Sequence, residues 1–154
     1  MKSSFWWERS SLWIVIALML AYSAFFSAYS IHQHATFRTH ASDLGQMDQA
    51  LWNTLHGNLL EDTRPDGRQA PRLTDHVEPI FLIVPFVFTL YDGVEAILVL
   101  QSLALALGAL PIFWIARRRF GRDEFGRDES PTRLYADIAA IFFSAIYLLF
   151  PALE

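Results

Sequence analysis

Residues 31–78 hold seven acids, five histidines and four arginines, and every histidine of the chain is among them. Carboxylates and imidazoles can move protons, and guanidinium groups pair with phosphate oxygens through two parallel hydrogen bonds. Two stretches concentrate these groups. One is "RTHASDLGQMDQ", with Arg38, Asp43 and Asp48; the other is "RLTDHVEP", with Arg72, Asp75, His76 and Glu78. The second ends in an acid–base cluster set just before a proline. The histidines of "HQH" (32–34) with His40 invite a metal reading, but their spacing matches no standard zinc pattern, so no metal site is expected. Bland roles are also open. Asp43 has the character of a helix N-cap, and Asp48 that of a solvated surface acid.

These residues sit in an unusual setting. The chain has 154 residues, is 53% hydrophobic and only 18% charged. Soluble domains average about 25% charged residues, and here the polar residues are clustered. Spans joined by polar loops fit that pattern better than a soluble core does. The absence of cysteine excludes disulfides and thiol chemistry. Eleven of the twelve basic residues are arginine, and no basic patch interleaves with aromatics, so no nucleic-acid partner is expected.

Three spans are expected. Residues 11–30, "SLWIVIALMLAYSAFFSAYS", carry no charge, reach about 30 Å at about 1.5 Å per residue, and have aromatics near both ends. A cleaved signal peptide competes, but this apolar run exceeds the usual ~7–15 residues. Residues 94–116 form the second span. Ala104 and Gly108, four apart, offer a close-packing face there, and Pro111 offers a kink. Residues 134–153 form the third. The apolar stretch 79–92 contains Pro79 and Pro85 and is short, so it reads as re-entrant or interfacial. Arginines crowd the 117–133 loop and are sparse in 31–78. The positive-inside rule then makes the N-terminus and the 117–133 loop cytoplasmic and places 31–78 outside. The repeat "GRDEFGRDE" reads as a solvated linker.

Within the outer loop, Asp43 as N-cap and Gln46 three residues on have capping-box spacing. Leu44, Met47, Leu51 and Leu55 recur every three or four residues, and Gly57 is a natural stop. An amphipathic helix over 44–56 is therefore expected on the outer membrane surface, with Gln46, Gln49, Asn53 and His56 facing away from its apolar side. The fold class is all-α: a polytopic membrane protein with about three transmembrane helices, one re-entrant segment, and an amphipathic helix in a long first outer loop. The lipid bilayer is its expected partner.

The order of elements, with "TFRTHASDLGQMDQALWNTLHG", "LTDHVEPIFLIVPF" and "LQSLALALGALPIFWIARR", resembles the predicted integral-membrane family called domain of unknown function 2079, from about Phe37 to Glu154. That family is grouped with the C-type glycosyltransferases, among them protein O-mannosyltransferases and the aminoarabinose transferase of lipid A. The resemblance implies a polyprenyl-phosphate-linked sugar donor, used on the outer side of a membrane, with an acceptor it leaves unidentified. It also implies a catalytic acid just after the first span, the position of Asp43. A carboxylate there would take the acceptor's proton, and partial desolvation would raise its pKa and make it a better base. His76 and Glu78, with Arg38, Arg72 and Asp48, are the implied substrate-binding residues. Relatives often carry two adjacent acids at this point, whereas Leu44 follows Asp43 here. No cofactor is therefore assigned, and a divalent cation is left open. The superfamily's many spans imply that this chain is the N-terminal part of a longer protein in a prokaryotic plasma membrane. Two other classes compete. A non-catalytic membrane scaffold or assembly subunit would use the small-residue face of the second span. A transporter segment would use the broken stretch 79–92, although Gln101 is the main polar group within the spans.

Overall fold

The computed structural model describes residues 3–39, 41–74, 78–121 and 130–150. In chain order it contains α1 (Ser3–Ala35), α2 (Ala41–Leu55), β1 (Glu61–Thr63), β2 (Gln69–Pro71), α3 (Pro85–Phe88), α4 (Val94–Leu107), α5 (Ala109–Phe120) and α6 (Ser130–Leu149). Among the described residues, two helices are long and apolar enough to cross a membrane: Ser10–Ala35, and the α4–α5 run Val94–Phe120. At about 1.5 Å per residue each exceeds the roughly 30 Å hydrocarbon core. The linker repeat lies outside the described residues, apart from Gly121.

The chain divides into two compact units. The first comprises Met1–Ser27 and Gln101–Glu154. Its core gathers Val15, Met19 and Tyr22 of α1, Ala109, Phe113 and Ala116 of α5, and Ala140 and Leu148 of α6. The alanines keep helix backbones close, which suits packing where lipid supplies no hydrophobic drive. Ser144, fully buried, donates its hydroxyl to the Ala109 carbonyl at 3.2 Å. Arg117 Nε lies 2.9 Å from Asp137 Oδ1. The break between α4 and α5 falls at Gly108, three residues before Pro111. A proline ring removes the bond to the carbonyl four residues back and crowds it; that residue is Leu107, where α4 ends. Gly108 is also a packing point. A methyl group built there would overlap the Tyr147 hydroxyl of α6, so the small face at Gly108 is filled from within the chain.

The second unit is Ala28–Leu100. Its core clusters Leu51 of α2, Leu60, Val84 and Phe88 of α3, and Ala96 of α4. Leu51 of the apolar stripe is thus buried by protein. The proline-rich stretch is broken as its prolines require: Pro79 opens a four-residue 3₁₀ turn (Pro79–Leu82), and Pro85 opens the four-residue α3.

Two local expectations need correction. The chain is mostly helical rather than all-α, because β1 and β2 form an antiparallel hairpin with Asp62 opposite Ala70. Its turn closes through Gly67 at φ +83°, a left-handed conformation cheap only for glycine. Second, α2 begins at Ala41, so Asp43 is its third residue and not its N-cap. The hairpin also occupies the polar side of α2. Gln49 donates to Thr63 Oγ1 (2.7 Å) and accepts from Thr63 N (3.1 Å), and Asn53 donates to the Glu61 carbonyl (2.7 Å).

Candidate functional site

The end of α1 shapes the first feature. Phe37 takes a left-handed backbone (φ +56°), and the Phe37 and Arg38 amides return to the carbonyls of His34 and Gln33. The chain therefore turns sharply into α2 within a few residues. His34 Nδ1 and Thr39 Oγ1 are 3.1 Å apart across this turn. A cavity of about 350 Å³ opens here, lined by His34, Phe37, Thr39, Leu44, Gly45 and Val94. That volume falls in the range of small-molecule pockets, about 300–1,000 Å³.

Asp48 follows Leu44 and Gly45 by four and three residues, so it shares their side of α2. Its carboxyl is pushed above the usual range, first by burial and then by the negative charges of Asp92 and Glu95, while His34 pulls the other way. Desolvation and like charge both disfavour the ionised form. The result is a partly buried carboxyl with raised proton affinity beside a cavity, the state that suits a general base.

The second feature is an ion-pair network. Arg72 is buried, with its Nε 3.1 Å from Glu78 Oε2 and its Nη1 3.8 Å from Asp62 Oδ2. Asp62 also meets Arg64 Nε at 3.3 Å. The Arg72 guanidinium lies 5.5 Å from the centre of the Phe81 ring. Two acids and two arginines balance here, and the group ties the hairpin to the proline-led stretch.

The candidate residues therefore separate. Arg72 and Glu78 pair with each other. Asp48 stands with His34, Asp92 and Glu95. Arg38 is exposed just past the end of α1. Asp43 lies in the first turn of α2, next to the cavity-lining Leu44, and its side chain is outside the described residues, as are Asp75 and His76. Among the described residues no three histidines or acids stand together as metal ligands.

A family model described as "Predicted membrane protein (DUF2079)" matches residues 33–154. The chain belongs to this family. Neither a curated protein nor a solved structure matches it. The DUF2079 match opens at Gln33, in the last turn of α1. It takes in the cavity, α2, the hairpin and both acid groups, and leaves most of α1 outside. Asp92 and Glu95 were not among the residues expected at a DUF2079 site. Glu95 carried a signal: it is a lone acid in the first turn of an otherwise uncharged apolar helix. Asp92 carried none beyond closing the apolar stretch.

Proposed function

We propose that this chain is the N-terminal part of a membrane glycosyltransferase that takes a sugar from a polyprenyl-phosphate carrier, with Asp43 as general base. Residues 31–78 face the outside of the membrane in this reading, and α6 is the third span. The acceptor hydroxyl attacks the anomeric carbon as Asp43 accepts its proton. The sugar–phosphate C–O bond breaks, and the lipid phosphate leaves with the electron pair. Arg38 and His76 serve the donor phosphate or the acceptor. Glu78 and Arg72 can do so only at the expense of their own pair.

The observation that supports this reading is the cavity at the start of α2, directly after an apolar span, with Leu44, the neighbour of Asp43, in its lining. A lipid-borne phosphate would present its sugar at that depth. The test is Asp43→Asn in the full-length protein, with membrane insertion checked by fractionation. Sugar transfer from a polyprenyl-phosphate donor should fall by about 10²–10⁴, the usual contribution of a general base. Full activity in that variant would remove the mechanism. The scaffold reading keeps Ala104, which is exposed, as its close-packing position, while Tyr147 fills the space at Gly108.

A further inference from the structure

α5 and α6 frame a second opening, a groove of about 440 Å³ within the first unit. Ile112, Ile115 and Phe120 form one wall, and Phe143, Ile146 and Phe150 the other. Phe120 and Phe143 stack at 5.9 Å across it. Its accessible surface is apolar although Arg119 is part of the lining, so Arg119 lends it the methylene stem. A guanidinium on such a stem sits at the polar mouth while the stem covers apolar surface.

The three arginines that end α5 differ in their ties. Arg117 is held by Asp137 at 2.9 Å and lies about 6 Å from the rings of Phe113 and Trp114. Arg118 and Arg119 are exposed, and among the described residues neither forms an ion pair. An apolar trough thus runs to a cationic mouth at one end of a helix long enough to span a membrane.

We propose that this groove seats an acyl chain of an anionic phospholipid whose phosphate pairs with Arg119. A chain matches walls that offer no hydrogen-bonding group, and the guanidinium fork matches phosphate oxygens. The sign of the mouth selects among lipids. A zwitterionic headgroup would bring its ammonium against Arg119, whereas phosphatidylglycerol, of net charge −1 and without an ammonium, would not. A lipid fills the walls with its acyl chain and brings Arg119 a counter-charge in the same molecule. The inference rests on membrane placement of α5 and is independent of the glycosyltransferase reading.

The test uses full-length protein in phosphatidylcholine nanodiscs containing a minority of phosphatidylglycerol, with retained lipids counted by native mass spectrometry. Wild type should retain phosphatidylglycerol over phosphatidylcholine. Arg119→Gln should reduce that preference about fivefold, equivalent to about 1 kcal/mol at about 1.4 kcal/mol per tenfold. Arg119→Lys should keep most of it, and Arg118→Gln should leave it unchanged. Ile115→Trp, at a wall residue 68% exposed, keeps the charge but blocks the trough and should lose both retained lipids. Melting curves matching wild type certify each variant as folded. Equal effects of Arg118→Gln and Arg119→Gln would reduce the site to diffuse surface charge and overturn the proposal. So would the absence of any preference in wild type, lipid retention by Ile115→Trp, or a mass showing a second copy in place of lipid.

Discussion

Arg72→Ala decides whether this arginine holds the fold or waits for a phosphate. Asp62 is 1% exposed and the Arg72 side chain 9% exposed. Removing one partner of a buried ion pair typically costs about 3–5 kcal/mol, because the remaining charge stays buried. Two facts set the position within that range. Asp62 keeps Arg64 at 3.3 Å, which lowers the cost. The lost contact over Phe81 raises it by about 0.5–1 kcal/mol. Glu78 is 34% exposed and regains water, so its share is about 0–1 kcal/mol. The expected loss is about 3 kcal/mol, or about a hundredfold in the open population of the hairpin. Limited proteolysis with subtilisin, whose cleavage does not depend on Arg72, reads that population when reclosing is faster than cutting. Replacing both partners, Arg72→Met with Asp62→Asn, should recover part of the loss, since Asp62 is no longer a buried charge, while Arg64, 18% exposed, gives up its carboxylate partner. If Arg72→Ala opens no faster than wild type while donor affinity falls, the structural reasoning fails, and Arg72 is a ligand-binding group.

Asp48→Asn tests the raised carboxyl. Burial, Asp92 and Glu95 favour its protonated form in the fold, so its stabilising contribution is complete below the ordinary aspartate pKa and is lost as pH rises through the folded value. The variant should therefore melt above wild type at neutral pH, and the gap should close in acid; a gap that widens in acid would reverse the assignment. Glu95→Gln removes one of the charges that raise Asp48 and should lower its pKa. If Asp48 and not Asp43 is the base, the acid limb of the kcat/KM profile moves to lower pH; if the limb stays, Asp48 is a bystander. Gly108→Ala places a methyl group 2.7 Å from the Tyr147 Cζ. Overpacking costs about 1–3 kcal/mol, and at the N-cap of α5 alanine brings no helix-interior gain to offset it. The variant should therefore melt lower in detergent, and a Tyr147→Leu background should abolish the penalty.

The long apolar helices could be read directly from the sequence, because uncharged length is a local property and bilayer thickness sets its scale. The stripe of α2 was legible for the same reason, and its end at Leu55 is one residue from the expected stop. The start of α2 differed because a side chain suited to capping does not by itself set where a helix begins. Ala41, Ser42 and Asp43 extend it by most of a turn. The hairpin was hidden. Its strands, "EDT" and "QAP", are three residues each and show no apolar alternation. They are held instead by Gln49 and Asn53, eight to fourteen residues away in sequence. A signal was nonetheless present: "RPDGR" is a turn sequence with a mechanism, proline and aspartate followed by a glycine free to take positive φ. The pairing of Arg72 with Glu78, and of Asp48 with Asp92 and Glu95, depends on three-dimensional proximity that residue type does not encode.

The second unit thus contains two charged groups of opposite character. Asp62, Arg64, Arg72 and Glu78 sum to zero, and their charges are met at 3.1 to 3.8 Å. Such a group has little to gain from a ligand, because any incoming charge must first break a pair already formed. Asp48 is held in its protonated form by burial and then by the charges of Asp92 and Glu95, with His34 the opposing influence. Here the fold holds electrostatic free energy that a proton or an incoming cationic or hydroxyl-bearing group can release. Reactivity belongs where charge is uncompensated, and rigidity where it is balanced. The cavity adjoins the first of these settings, between His34, Leu44 and Val94. The balanced group secures the hairpin, which in turn holds Gln49 and Asn53 and so fixes the rotation of α2. The rotation of α2 determines which side of the helix turns Asp48 toward its neighbours. Loosening Arg72 should therefore reach the acid group through α2, without any direct contact between the two sets.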